Sequence, residues 1–177
     1  MRYFLYTYAY PENYEISREH RVFGTPKNSG DHLATKVQRL RRGDIVLIRD
    51  GFRNDLRFFP YCVVTGPLFD QETDTDSSWP KFLWHDEKLK QRVIYHLRCE
   101  VDFQNVPQLS RSRLTWDSLD SLRFINERGR PILGQQAWGK KLSGNFIEDE
   151  KELAKFNDLV MFDPLEEATP SPTFERE

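Results

Sequence analysis

The chain has 177 residues, 31% of them charged and 14% aromatic, with nine glycines and ten prolines; this is enough for one domain with a real core, and it excludes a disordered or fibrous composition. No apolar run is long enough to cross a bilayer, and "MRYFLYTYAY" has neither a signal core nor a cleavage site, which predicts a cytoplasmic protein with no membrane partner. The net charge of −2 hides an asymmetry: residues 148–177 carry ten acids against three bases, a balance of −7 that leaves +5 on the preceding body.

In chain order, "RYFLYTYAY" has apolar residues on both alternating faces and reads as a central strand covered on both sides, ended by Pro11. "ISREHRVFG" offers Ser17 as an N-cap and Gly24 as a stop for one or two helical turns. "DHLATKVQRL" sets Leu33, Val37 and Leu40 at helical spacing behind Asp31. "RRGDIVLIRDG" passes through a Gly-Asp turn into a strand, and "RFFPYCVVTGPLF" and "RVIYHLRCEVDF" read as the next two. Between those two lies a long acidic loop that nevertheless holds Trp79, Phe82 and Trp84, so a functional loop is expected there.

Further on, "RSRLTWDSLDSL" reads as a helical or turn segment, "RFINERGRPIL" as a hairpin around Glu127 to Gly129, and "GQQAWGKKL" and "EDEKELAKFNDLV" as closing helices. The expected division is a domain over residues 1–162 and an acidic, Pro- and Thr-rich tail or linker over 163–177. The element order lacks a βαβ rhythm and a phosphate-binding glycine loop, so the fold class predicted is a small mixed α+β barrel. Cys62 and Cys99 each sit in a strand-like apolar run, and buried free thiols are expected rather than a disulfide.

Several motifs, taken in this order, resemble the EVE domain of the PUA-like superfamily and its relative the YTH domain. They are Asn13-Tyr14 after an aromatic strand, Glu15-Ile16-Ser17, Phe23-Gly24, the Leu40-Arg41-Arg42-Gly43-Asp44 entry to "IVLIRDG", "VVTGPLFDQ", "SSWP", and "ILGQQAWGKKLSGNFIEDEKEL". The resemblance spans roughly residues 2–157. It implies a pseudo-barrel of about five or six strands flanked by short helices, and a nucleic-acid-binding module that takes a modified base into an aromatic pocket. Such domains occur alone and as recognition modules of defence and modification-dependent restriction systems, so a fused or associated effector is an implied partner. No cofactor, metal or catalytic residue is implied.

A modified base is inspected only when unstacked. Extraction costs a few kcal/mol, and each aromatic face returns about 1–3 kcal/mol. Trp79, Trp84 and Phe23 are the candidate walls, with Tyr10, Tyr14 and Tyr61 behind them and Gly24 at the pocket corner. A buried methyl contributes only about 0.8 kcal/mol, so selectivity falls to polar groups, for which Asn13, Ser17 and Thr25 are placed. Residues 17–57 hold ten Lys or Arg against five Asp or Glu, and Arg39, Arg41, Arg42, Arg49 and Arg53 are the candidate phosphate contacts.

Two alternatives stay open. One is an RNA-binding or protein-docking domain that reads no modification. The other is a metal-dependent nuclease using Asp70, Glu72, Asp74, Asp76, Asp86 and Lys88, which is disfavoured because loop carboxylates are poorly fixed.

Overall fold

The computed structural model describes residues 2–26, 37–51, 58–73, 78–86, 88–104, 121–125, 130–133 and 145–160. Its centre is β1 (Tyr3–Tyr8), paired in parallel with β3 (Ile45–Asp50) and antiparallel with β11 (Asn145–Ile147). The double-sided apolar pattern of β1 has a direct cause. Tyr3 and Leu5 point into one core with Ile45, Leu47, Leu122, Phe124, Ile147 and Phe156. Phe4, Tyr6 and Tyr8 point into a second, with Phe23, Val46, Ile48, Cys62, Cys99 and Val101 among others. Alternation of side chains along a strand makes such a division automatic.

The sheet runs β10-β9-β11-β1-β3-β4-β8-β2, and among the described residues this path does not close on itself. The strands not yet bounded are β2 (Val22–Thr25), β4 (Cys62–Val64), β8 (Leu97–Phe103), β9 (Arg123–Ile125) and β10 (Pro131–Leu133). A short β5 (Phe69–Asp70) also pairs with β8. A separate two-stranded ribbon joins β6 (Trp84–Asp86) to β7 (Gln91–Val93). The α+β, sheet-dominated class read from the sequence is therefore the observed one.

The strands outnumber the five or six expected partly because two long runs are broken. Gly66 and Pro67 separate β4 from β5, and a proline has no N–H to give a ladder. Residues 94–96 separate β7 from β8, and Tyr95 there leaves the ladder to stack on Trp84. The hairpin expected near Glu127 is present as the antiparallel β9–β10 pair, with its turn outside the described residues. β2, β6 and β11 are additions that the sequence reading did not contain.

The two described helices are α1 (Pro11–His20) and α2 (Glu150–Val160). Pro11 starts α1 at its first turn, where its missing N–H goes unneeded. Two expectations are corrected here. Ser17 is not an N-cap but a buried residue inside α1, and Gly24 is not a stop but part of β2; the helix ends at Arg21, which takes left-handed φ 52° and ψ 46°. α2 follows Asp149, whose carboxylate accepts from the Lys151 and Glu152 amides, and it packs Phe156 edge-on against Tyr3 at 5.6 Å. The helix expected over Asp31–Leu40 falls largely outside the described residues, although Val37 and Leu40 are buried. Residues 111–120, 134–142 and the tail also lie outside them. Cys62 and Cys99 are buried free thiols, as expected.

Candidate functional site

A third apolar cluster lies where α1, β2 and the tryptophan loop meet. It contains Ile16, Val22, Leu83 and Trp84, with Trp79, Val93 and Tyr95 packed against it. Trp84 is fully buried. Its ring stacks on Tyr95 at 4.8 Å and 19°, and the Arg98 guanidinium carbon lies 4.9 Å from its centre. Its indole N–H donates to Ser17 Oγ at 2.9 Å, and Ser17 Oγ shares a 2.7 Å hydrogen bond with the Tyr8 hydroxyl. Gly24 completes the seat. A Cβ there would stand 2.5 Å from Trp84 Cζ2 and closer still to Cη2, so the ring fits only over a residue without one.

Polar partners fasten the loop in place. Asn13 donates to the His85 carbonyl at 2.9 Å and accepts from the His85 amide at 2.8 Å, tying α1 to β6. Arg98 is buried and donates to the carbonyls of Tyr95, Pro80 and Lys81 at 2.7, 2.8 and 2.6 Å. Burial pushes its guanidinium down to about 10, since no carboxylate faces it among the described residues. Burial likewise pushes the Tyr95 phenol up to about 12.

Asn13, Ser17, Gly24 and Trp84 are brought together, and the space between them is filled by the Trp84 ring itself. Phe23 is elsewhere: it is fully buried in the second core, edge-on to Tyr6 at 4.9 Å. Tyr14 is also buried, stacked on Phe59 at 4.1 Å and donating to the Pro60 carbonyl at 3.0 Å. Tyr61 belongs to the first core. Thr25 is buried with no hydrogen-bond partner for its hydroxyl oxygen among the described residues, and Tyr10 is a half-buried residue at the start of α1. Phe23, Trp79 and Trp84 do not face one open cavity.

Trp79 is different. It is half-buried, its N–H donates to the His20 carbonyl at 3.3 Å, and its ring lies edge-on to Phe69 at 6.2 Å. It walls an open cleft of about 470 Å³ shared with His20, Arg21, Thr65, Glu100 and Asp102, within the size range of small-ligand sites. β8 explains the carboxylates. Cys99 and Val101 face the core while Glu100 and Asp102 face out. Arg21 is anchored through its carbonyl to the Val101 amide at 3.1 Å. Its left-handed backbone, which glycine adopts freely, costs an arginine about 1 kcal/mol.

The expected phosphate contacts divide. Arg39 pairs with Glu148 at 2.9 Å and lies over Phe146 beside Arg2, which forks onto Asp44. Arg41 and Arg42 are exposed, Arg49 is half-buried on β3, and Arg53 lies outside the described residues. Of the carboxylates weighed for a nuclease, Asp70 and Asp86 accept from turn amides, of Glu72 at 3.0 Å and of Lys88 at 2.9 Å. Asp74 and Asp76 lie outside the described residues. Among the described residues no three His, Cys, Asp or Glu side chains gather as a metal site, and no helix is long and apolar enough to cross a membrane. Tyr95, Arg98, Glu100 and Asp102 were not anticipated; the strict alternation of "RCEVDF" was the available signal for the last two.

No protein-family model matches the sequence, and none of the curated proteins matches it. Solved structures do. A YTH domain of Zygosaccharomyces rouxii MRB1, solved in complex with N6-methyladenosine RNA, aligns over 90% of this chain and 86% of its own, with a TM-score of 0.50 and 13% identity. A hypothetical protein from Leishmania major aligns over 91% and 95%, at 0.51 and 14%. Human THYN1, solved in complex with DNA containing 5-methylcytosine, aligns over 93% and 100%, at 0.46 and 8%. At such identities the first two establish the fold alone, and it is a fold shared with a YTH domain.

Proposed function

We propose that this chain is a nucleic-acid-binding domain that reads a modified base, taken unstacked against Trp79 in the open cleft of the β2–β8 face. The observation that carries the reading is the half-exposed Trp79 ring at a cleft of about 470 Å³, in a fold shared with a YTH domain solved on N6-methyladenosine RNA. One aromatic face returns about 1–3 kcal/mol per base, enough to hold a base that is already single-stranded. Trp84 and Arg98 act behind it by fixing the loop that presents Trp79. Arg41 and Arg42, exposed on the +5 body, supply backbone attraction.

Within this fold the resemblance of the motifs around Asn13, Phe23-Gly24 and Gly43-Asp44 to the EVE domain supports an EVE-type reader. In that reading it is the recognition module of a defence or restriction system, works in the cytoplasm and serves an associated effector. The test is fluorescence anisotropy with labelled single strands that are identical except for one modified base. A modified strand bound about tenfold more tightly supports the reading. Equal affinities with a steep salt dependence would leave a backbone binder, and no binding to any strand would point to a protein partner.

A further inference from the structure

The Trp79 cleft differs from a simple hydrophobic cage in one respect. Glu100 and Asp102 stand side by side on its wall, and among the described residues neither is in an ion pair. Glu100 accepts from the Thr65 hydroxyl at 3.0 Å and Asp102 from the Gln104 amide at 3.3 Å, both neutral donors. Each carboxylate therefore has acceptor positions left for something entering the cleft.

An aromatic face beside uncompensated carboxylates selects ligands by charge and by edge. A ring that carries positive charge is drawn to the face of an indole and to the carboxylates together. A neutral ring with acceptors on its edge meets lone pair against lone pair. Guanine is the common base with two adjacent donors, N1–H and the N2 amino group, on one edge, and a carboxylate accepts both in parallel. Methylation at N7 makes that ring cationic, adds no substituent to this edge and makes its N1–H a stronger donor. Arg21 and His20, on the same cleft, add donors for the attached phosphate.

Resting on the reader function proposed above, we infer that the modified base taken by the Trp79 cleft is a cationic, donor-edged purine of the 7-methylguanine type. Trp79 stacks on the charged ring, Glu100 and Asp102 accept its N1–H and amino group, and Arg21 faces the phosphate. The neutral methylated bases, N6-methyladenine and 5-methylcytosine, present one amino donor and no charge, so they gain little from the pair of carboxylates.

The experiment is calorimetric titration of the full chain with 7-methylguanosine monophosphate, GMP, AMP and N6-methyl-AMP, repeated on Glu100→Gln and Trp79→Ala. Glu100 is exposed, so Glu100→Gln is expected to leave the fold intact, which circular dichroism checks. The expected result is binding of the 7-methylated nucleotide at least tenfold tighter than GMP or AMP, with that preference cut about tenfold by Glu100→Gln and binding abolished by Trp79→Ala. Equal affinity for all four nucleotides, or a preference untouched by Glu100→Gln, overturns the inference. A chain that prefers N6-methyladenine in the strands of the preceding test but ignores 7-methylguanosine monophosphate also overturns it, while leaving the reader function standing. Failure of every modified strand removes the reader function itself.

Discussion

Two tryptophans five residues apart, one before β6 and one at its start, have opposite surroundings. Trp84 is sealed between Tyr95, Arg98, Ser17 and Gly24 with no exposure, while Trp79 is half-buried at an open cleft bordered by charged side chains. The first spends its aromatic face on its own protein. The second lines the cleft beside carboxylates whose hydrogen-bond donors among the described residues are neutral. In this fold, aromatic content alone therefore does not locate an accessible ring; the exposure of the residue and the state of its polar neighbours do.

The contrast breaks most sharply under truncation. Trp84→Ala empties a fully packed site and is expected to destabilise the chain by about 3–5 kcal/mol, seen as a lower urea midpoint at constant m. A loss below about 1 kcal/mol would mean that the Trp84 seat is looser than its contacts indicate.

Gly24→Ala probes the same seat from below. A methyl forced against the indole is expected to cost about 1–3 kcal/mol. In Trp84→Ala the two changes couple, because the ring that Cβ strikes is gone; a strictly additive double mutant would contradict the packing described.

Alkali gives a third test of what is sealed. Burial pushes the Cys99 thiol up to about 12 from 9.0 and the Tyr95 phenol up to about 12 from 10.0. The folded chain thus holds protons that the unfolded chain gives up first. Their contribution is intact below about pH 9, the unfolded thiol value, and is lost as pH rises through 12. Urea midpoints should fall across that window, and Cys99→Ala should flatten the fall; a midpoint constant to pH 11 would mean that these groups are hydrated.

Much of this was readable from sequence, for physical reasons. β3 and α2 follow from local pattern: a Gly43-Asp44 turn before an apolar run, with Gly43 at φ 92°, and an acidic first turn before an amphipathic stretch. The aromatic density of β1 also gave its double-sided burial. Ser17 was misread because a cap and a buried hydroxyl look alike in sequence, and only the Tyr8 and Trp84 partners distinguish them. The breaks in the long strand runs and the parallel β1–β3 pairing depend on distant contacts. For the site, the sequence marked the loop and both of its tryptophans as candidates; the seat that closes over Trp84 was not legible, because it depends on Gly24 and Arg98 arriving from β2 and β8.

The smallest expected effect is electrostatic. Arg42→Ala should lower the slope of log affinity against log salt by about 0.7 for a single strand, without altering base preference. An unchanged slope would take Arg42 out of the interface.

The most direct test of the central claim is the tryptophan indole region of a proton–nitrogen NMR spectrum, recorded on the 15N-labelled full chain while a modified single strand is added. The chain has four tryptophans, and Trp79→Phe and Trp84→Phe assign the two that matter. The account predicts that the Trp79 signal moves or broadens with added strand while the Trp84 signal, hydrogen-bonded to Ser17, stays in place. A spectrum in which Trp84 responds and Trp79 does not would contradict it.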